Sequence, residues 1–426
     1  MNRQRVVTVM GTRPEAIKMM PVVRELNRRR DLFDHLLVAT GQHREMLDQV
    51  LAVFGARPDI DLDLMQHNQS LGGFAARALA SLSELFSEIK PDAVLVQGDT
   101  TTVTVAALAA FYQGIRVGHV EAGLRSFDTR NPFPEEMNRR LAGSLSDMHF
   151  APTEGARRNL RREGVAPENI FVTGNTIVDA LRSIPLAGPF ADARLNEVDF
   201  ERRRVLLVTA HRRENHGLPM HAICDGLRAI VERFADVEIV YPVHLNPNVR
   251  DVVMQQLGSV PRIHLVEPVG YTDLLRLMCR SHFILSDSGG IQEEAPSFNK
   301  PVLVLRDTTE RPEVIECGAG RLVGTDAERI FEEAALLLSN AEAYEQMSRA
   351  ENPFGDGRAA ERIFEEAALL LSNIEAYEQM SRAENPFGDG RAAERIASVL
   401  AERLCDRYEP SLAELSFAAE PVAVGD

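Results

Sequence analysis

The feature that most constrains the fold is an alternation, repeated twice along the chain, of short β-branched runs with longer amphipathic stretches. It begins at residues 6–10 and restarts at 205–208. Such alternation predicts parallel sheets with helices on both faces, because parallel neighbouring strands need a helical crossover. At 426 residues the chain is also too long for one ordinary core. We therefore expect an α/β fold of two Rossmann-like domains.

The Pro-, Gly- and charge-rich stretch 185–201 is the natural linker between these domains. The first domain is then predicted at 1–184 and the second at 185–393, and 409–426 is predicted to be a disordered tail. Predicted strands cover 6–10, 36–40, 93–96, 116–120, 205–208, 238–241, 263–266, 283–286 and 302–305, and predicted helices in the first half cover 15–29, 44–54, 74–89 and 103–112.

Charge and composition exclude several function classes. The formal net charge is -16 and the acidic residues are spread along the chain, so a surface that follows nucleic-acid phosphates is not expected. The four cysteines show no metal-finger or CxxC spacing and are predicted to be reduced thiols. The apolar run 6–10 is too short for a signal-peptide core or a membrane span. A cytoplasmic protein without nucleic-acid or membrane partners is predicted.

Residues 11–18 directly follow the first predicted strand and form the first cluster with anion-binding chemistry. Gly11 permits a turn, Pro14 suits a first helical turn, and Arg13 and Lys18 could reach an anion at the helix N-terminus. The stretch has neither the GxGxxG nor the Walker spacing. A capped helix with solvated cations explains this cluster equally well.

Residues 287–294 form a second such cluster between a predicted strand and a helix. Gly289 and Gly290 would let a diphosphate approach bare backbone amides, and the hydroxyl of Ser288 adds a donor. Glu294 lies one turn later, where it could accept from ribose hydroxyls. Here phosphate binding is favoured over a simple glycine turn.

Three carboxylates and one imidazole follow other predicted strands or begin a helix: Asp99, Glu121, Glu135 and His211. Taken singly, Asp99 and Glu135 could be helix caps and His211 an ordinary loop histidine. Because the carboxyl ends of parallel strands meet at one edge, we expect the four to face one cleft. A metal site is the weaker alternative, since 211–216 lacks HExxH spacing and carries two arginines beside the imidazole.

Nine motifs, in order, closely resemble the non-hydrolysing UDP-N-acetylglucosamine 2-epimerases. The resemblance covers nearly the whole chain from about residue 6 to 404, apart from one copy of a repeat. The motifs are GTRPEAIK (11–18), GQHREMLDQ (41–49), QGDTTT (97–102), GHVEAGLRS (118–126), PFPEEMNR (132–139), HRREN (211–215), YPVHLNPNVR (241–250), SDSGGIQEEAPS (286–297) and RDTTERPE (306–313).

The resemblance implies a GT-B fold, with two Rossmann-like domains facing each other across a cleft and a C-terminal helix, at about 394–408, returning to the first domain. It also implies a homodimer, a UDP-sugar substrate, and no cofactor or metal. By motif position it implies catalytic roles for Asp99, Glu121, Glu135 and His211, substrate contacts from Arg13, Lys18, Ser288, Gly289, Gly290, Glu294 and Arg311, and an allosteric UDP-sugar site at Gln42, Glu45, Arg212 and His244.

The expected reaction is reversible epimerisation at C2 of UDP-N-acetylglucosamine, which gives UDP-N-acetylmannosamine. The C2 hydrogen has no adjacent carbonyl, so departure of UDP from C1 must assist its removal and give a glycal intermediate. A hydrolysing 2-epimerase, a GT-B glycosyltransferase and a non-catalytic UDP-sugar-binding module are the alternatives. The module is disfavoured because binding alone needs no cluster of acids.

Residues 328–360 and 361–393 are the same 33-residue stretch twice, differing only at Ala341 and Ile374. Two copies are too few for a helical solenoid, which needs about three or more repeats. We expect one copy to suffice for the fold and the surplus, roughly 341–373, to be extruded away from the cleft.

Overall fold

Two parallel β-sheets follow one another along the chain in the computed structural model, which describes residues 3–41, 44–66, 69–130 and 132–372. The first sheet contains β1 (Gln4–Met10), β2 (Phe33–Ala39), β3 (Ile60–Asp61), β4 (Ala93–Gln97), β5 (Arg116–Val120), β6 (Met148–Ala151) and β7 (Ile170–Val172). The second contains β8 (Arg204–Thr209), β9 (Val237–Pro242), β10 (Ile263–Val266), β11 (Ile284–Ser286), β12 (Val302–Val304) and β13 (Gly320–Leu322).

The two sheets share one strand order. The first runs β3-β2-β1-β4-β5-β6-β7 and the second β10-β9-β8-β11-β12-β13, with parallel pairing throughout. This is the doubly wound Rossmann order, and it confirms the predicted fold class. In each sheet the order reverses between two central strands, β1 and β4 in the first and β8 and β11 in the second.

Helices cover both sheets, and this explains why the central strands are apolar on both faces. In β4, for example, every residue is buried. The helices are α1 (Arg13–Arg28), α2 (Arg44–Val53), α3 (Leu71–Ile89), α4 (Thr101–Tyr112), α5 (Glu135–Leu145), α6 (Glu154–Arg162), α7 (Thr176–Ser183), α8 (Leu218–Arg233), α9 (Pro247–Leu257), α10 (Tyr271–Arg280), α11 (Gly289–Glu294), α12 (Pro312–Glu316), α13 (Ala327–Ser339), α14 (Ala341–Ser348) and α15 (Ala359–Ser372). In the described part of the chain, no helix is both long and apolar enough to cross a membrane.

The predicted linker packs against the second sheet's α10. Its Ala191 amide donates to Asp273 at 2.8 Å, and Arg276 donates to the carbonyls of Ala187 and Pro189. Leu195 within it is fully buried. The stretch 185–201 is therefore an ordered connection.

The two copies of the repeat differ in their packing. Helix α13, from the first copy, packs on α8 of the second sheet, and α14 follows with Met347 buried. Helix α15 spans the junction of the copies and packs instead on α1 and α7 of the first sheet. There Phe364 is buried and meets Phe33 edge to face at 5.5 Å.

The expectation that 341–373 is extruded is therefore wrong for its described residues, 341–372. Upstream of α15, Phe354 is buried and its carbonyl accepts from the Asn175 amide at 2.8 Å. Asp179 accepts from the amides of Ala359 and Ala360, which begin α15. The apolar groove between α1 and α7 is available to any amphipathic helix that follows, and α15 fills it first. The helix expected at 394–408 and the tail at 409–426 lie outside the described residues.

Candidate active site

A buried ion-pair network joins the two sheets at the carboxyl ends of their strands. Lys18, on α1, donates to both carboxylate oxygens of Glu121 at 2.7 Å. The same ammonium pairs with Glu293, on α11 of the second sheet, at 2.8 Å. Glu293 in turn accepts from the guanidinium of Arg311. Two cations and two carboxylates are thus linked across the boundary between the sheets.

Burial and pairing act in opposite directions on these groups. Burial raises the pKa of Glu121 even though Lys18 stabilises its charged form. Burial also works against ionised Glu293, yet Arg311 and Lys18 lower its pKa overall. For Lys18, burial is outweighed by the two carboxylates, which raise the pKa of the amine. Of the two carboxylates in the network, Glu121 therefore retains a proton more readily than Glu293.

The backbone at Glu121 is strained. Its φ is +65°, a left-handed conformation that non-glycine residues rarely adopt. The residue directly follows β5, and Gln97, the last residue of the neighbouring β4, donates its side-chain amide to the same carboxylate. Strained non-glycine residues held by their surroundings are concentrated at functional sites. The geometry supports a functional rather than a structural role for this carboxylate.

Asp99 is held beside the same sheet edge by α5. Its carboxylate pairs with Arg139 at 2.6 Å, and its carbonyl accepts from the Asn138 side chain at 2.9 Å. Thr100, not Asp99, is the N-cap of α4 and accepts from the Val103 amide. The helix-cap explanation of Asp99 is therefore wrong.

Glu135 is the first residue of α5, the helix that holds Asp99. Its Oε2 is buried and has no hydrogen-bond partner among the described residues. The next residue, Glu136, shows the contrast, since it is fully buried and accepts from the backbone amides of Ser126 and Phe127. Glu136 therefore shapes the loop before α5, while Glu135 keeps an oxygen available.

His211 lies at the end of β8, where the second sheet reverses its order. Its backbone amide donates to Asp287 at 2.8 Å, and its ring stacks on His244 with the centroids 5.3 Å apart. Burial lowers the pKa of His211; Asp287 opposes this shift, and the neighbouring Arg212 and Arg13 reinforce it. Burial therefore favours the neutral form of the imidazole, which can accept a proton.

The predicted anion-binding residues lie around the start of α11. Ser288 precedes this helix and does not use its side chain to cap it. A β-carbon added at Gly289 would lie 3.2 Å from the Glu310 carboxylate and 3.7 Å from the Arg311 guanidinium, so this backbone lies close to both side chains. Gly290, the next residue, is exposed. Backbone amides, a hydroxyl and a guanidinium are thus close together, as binding of a diphosphate requires.

Glu294 and Arg13 connect this region to the first sheet. Burial raises the pKa of Glu294 to about 7, against a 3.0 Å hydrogen bond from the Tyr271 hydroxyl and the positive charge of Arg13. Arg13 begins α1, yet its charge acts on both Glu294 and His211 of the second half. Its side chain is exposed at this boundary.

Of the predicted allosteric residues, the described ones lie beside the same cleft. Arg212 pairs with Glu310 at 2.9 Å, which joins it to the group around Arg311. His244 is exposed apart from its stacking on His211. Gln42 lies outside the described residues, and so does the side chain of Glu45. The geometry does not separate Arg212 and His244 from the catalytic region.

Several residues of the site were given no individual role from the sequence. Asp287 and Glu293 belong to the cluster 287–294, in which Asp287 directly follows β11 and Glu293 lies within α11. Glu15 is buried and accepts from the Gly11 amide at 2.6 Å, and burial raises its pKa to about 7. Gln97 and Arg139, which hold Glu121 and Asp99, lie in the motifs QGDTTT and PFPEEMNR, but the sequence assigned no role to either side chain.

Comparison with known proteins finds one family at the level of both sequence and fold. Residues 24–368 match the family model described as UDP-N-acetylglucosamine 2-epimerase. The UDP-N-acetylglucosamine 2-epimerase of Bacillus subtilis is 51% identical over 359 residues, 84% of this chain and 93% of the relative. That of Escherichia coli K12 is 51% identical over 362 residues, 83% and 96% of the two chains. The crystal structure of the Neisseria meningitidis UDP-GlcNAc 2-epimerase bound to UDP-GlcNAc is similar with a TM-score of 0.79 and 46% identity, covering 87% of this chain and all (100%) of that one.

Proposed function

This chain belongs to the UDP-N-acetylglucosamine 2-epimerase family, and from that premise we propose how its cleft inverts C2 of UDP-N-acetylglucosamine. The members of the family are isomerases. The single observation that carries the proposal is Glu121, a buried carboxylate on a strained backbone, bound through Lys18 to the cluster that includes Arg311. A carboxylate linked to an anion-binding group matches a reaction in which proton removal and diphosphate departure are coupled.

The diphosphate binds, in this proposal, at the start of α11. Ser288, Gly289 and Gly290 supply a hydroxyl and backbone amides, and Arg311 and Arg13 supply positive charge from the two sides. These groups stabilise the charge that develops on UDP as its bond to C1 breaks, and they are in place before the reaction begins. Glu294, with its raised pKa, can donate to or accept from a ribose hydroxyl.

The elimination step breaks two bonds of the sugar. The C1–O bond electrons leave with UDP, the C2 proton passes to a carboxylate, and a C1=C2 double bond forms. In the second step UDP adds back to C1 while a proton is delivered to the opposite face of C2. Inversion therefore needs a proton acceptor on one face and a proton donor on the other.

Three carboxyl groups are available for these two roles. Asp99 and Glu121 follow adjacent strands, and Glu135 begins the helix whose Arg139 holds Asp99. Burial raises the pKa of Glu121, so this carboxyl group retains a proton more readily than an exposed one would. Glu135 keeps an unpartnered oxygen. We infer that these three share the acid and base roles, and that His211 acts at the phosphates or the sugar.

Product analysis tests the proposed reaction. The protein is incubated with UDP-N-acetylglucosamine and, separately, with UDP-N-acetylmannosamine, and the nucleotides are followed by proton NMR. Both reactions should converge on one mixture of the two UDP-sugars. Free UDP formed in proportion to substrate loss would indicate a hydrolysing enzyme, and a requirement for an acceptor would indicate a glycosyltransferase. UDP binding without conversion would indicate a binding module.

The proposal also includes a homodimer, an allosteric UDP-sugar site formed with Arg212 and His244, and a location in the cytoplasm. The homodimer and the allosteric site are supported by the resemblance, and the location by the spacing of the cysteines. Arg212 and His244 both adjoin His211 in the fold, so a second UDP-sugar bound there would lie next to the first.

A further inference from the structure

Asp287 lies where the second sheet reverses its strand order. It directly follows β11, and its backbone amide donates to the carbonyl of Thr209, the last residue of the adjacent β8, at 3.1 Å. His211 lies two residues beyond Thr209. Because β8 and β11 run parallel, the two loops that leave them start side by side. The carboxylate of Asp287 is thereby fixed against the loop that carries the imidazole.

The two oxygens of this carboxylate have different surroundings. Oδ2 accepts from the backbone amides of His211 and Arg212, both at 2.8 Å, and from the Asn215 side chain at 2.9 Å. Oδ1 has no hydrogen-bond partner among the described residues, although the side chain is fully buried. It lies 3.5 Å from Nδ1 of His211. A buried carboxylate oxygen without a donor is costly, and the imidazole N–H is the donor nearest to it.

The plane of the His211 ring is held beside this oxygen. Its backbone is tied to Oδ2, and its plane is stacked on His244 at an angle of 13°. With Nδ1 toward the carboxylate, Nε2 lies on the opposite edge of the ring. A proton on Nδ1 leaves Nε2 bare, and the hydrogen bond that one ring nitrogen makes sets the role of the other.

We propose that Asp287 is a positioning residue that holds His211 in its Nδ1-protonated tautomer and presents Nε2 as the acceptor toward the bound UDP-sugar. Among the residues that the structure describes, the charged and titratable groups that act most strongly on the imidazole are Asp287, His244, Arg212 and, from α1, Arg13. Among them only Asp287 is a carboxylate. It alone favours the proton that His211 takes up during the reaction.

If Asp287 only held the loop in place, it would make the same contacts through Oδ2. The test must therefore distinguish the effect of Oδ1 from that of Oδ2. The variant Asp287→Asn does this. Three donors converge on the Oδ2 position, so the amide oxygen of asparagine takes that place and its NH₂ faces Nδ1. The loop is kept, but a donor now points at Nδ1 and favours the Nε2-protonated tautomer. Asn215→Ala is the matched control, because it removes one donor to Oδ2 and leaves the face toward Nδ1 unchanged.

Nitrogen-15 NMR of the histidine rings, assigned with His211→Gln, measures the tautomer without any substrate. The parent and Asn215→Ala should carry the proton on Nδ1, and Asp287→Asn should carry it on Nε2. A parent protonated on Nε2 would overturn the inference, even if Asp287→Asn failed to fold. So would an unchanged tautomer in folded Asp287→Asn.

The kinetic arm rests on the proposed function. Asp287→Asn should lower kcat on the order of 10²-fold or more, with KM and UDP affinity changed by no more than about threefold. The acid limb of its kcat/KM profile should move to lower pH, because the carboxylate that favours imidazolium has been lost. Turnover within about threefold of the parent would overturn the positioning role. Full activity of His211→Gln would instead refute the role proposed for His211, and the parent's tautomer would still decide the contact with Asp287.

Discussion

Replacing Lys18 by methionine should destabilise the protein in a way that depends on pH. The ammonium is the shared partner of Glu121 and Glu293, and its side chain is only 11% exposed. Removing one partner from a buried ion pair costs roughly 3–5 kcal/mol, because the remaining charge is left uncompensated. Two buried carboxylates would then share Arg311 as their remaining cation in the network.

The sign of the pH dependence follows from Glu121. Burial already raises its pKa in the folded protein, and loss of Lys18 removes a charge that opposes this shift. A carboxyl group whose folded pKa is raised contributes stability below its unfolded pKa and loses it as the pH rises through the folded pKa. The deficit of Lys18→Met should therefore grow as the pH is raised from about 4, the usual pKa of a glutamate in the unfolded chain, through the raised pKa of Glu121 in the folded protein. Lys18 itself stays charged over this range, because its own pKa is raised.

Urea unfolding of the ligand-free protein across that pH range measures the effect. Arg28→Met is the matched control, because it removes a cation from the same helix whose exposed pair with Glu25, at 3.0 Å, contributes only about 0–1 kcal/mol. A deficit for Lys18→Met below about 1 kcal/mol, or one that does not change with pH, would refute the buried network as described.

Three further predictions concern catalysis, the repeat and assembly. Asp99→Asn and Glu121→Gln should bind UDP nearly as tightly as the parent in titration calorimetry but lose about 10²–10⁴-fold in turnover. The control Glu84→Gln, at an exposed position, should change neither quantity. Normal turnover in both Asp99→Asn and Glu121→Gln would mean that the active site is misplaced. Deleting residues 361–393 should preserve activity but lower the free energy of unfolding by up to about 3–5 kcal/mol, because an alanine would then occupy the position at which Phe364 is now buried. Unchanged stability in urea unfolding would show that this contact contributes little. Sedimentation should show a homodimer, and a monomer at working concentration would contradict that proposal.

Most of the fold could be predicted because each strand and helix shows its burial in its own hydrophobic pattern. Strands buried on both faces must be apolar throughout, and the restart at 205–208 marks a second sheet. In the first sheet, the strands that were missed are β3, β6 and β7, which are two to four residues long and too short to show a period. The candidate residues were found because the ends of parallel strands meet at one edge.

Partnerships across the two sheets were not predictable. The contact between Lys18 and Glu293 joins residues far apart in sequence, and it depends on how one sheet lies against the other. The same holds for the unpartnered oxygen of Asp287. A sequence motif shows that a carboxylate is present at a strand end, but it does not show which of its oxygens is satisfied.

The repeat shows most directly which contacts cannot be predicted from the sequence. Phe331 and Phe364 occupy the same position in identical sequences, yet Phe331 is only partly buried against the second sheet and Phe364 is buried on the first. Both segments are helical because their pattern is helical. Their different partners, α8 for one and α1 and α7 for the other, depend on which groove each segment reaches along the chain.

The central claim is that the C2 proton leaves to a carboxylate and returns from solvent-exchanged groups while UDP departs and adds back. Incubation with UDP-N-acetylglucosamine in deuterium oxide tests it most directly. Mass spectrometry and proton NMR of the recovered nucleotides should show deuterium at C2 of intact UDP-N-acetylmannosamine and, with time, of UDP-N-acetylglucosamine as well. Epimerised UDP-sugar that keeps its original hydrogen at C2, or free UDP accumulating with the deuterated sugar, would contradict the account.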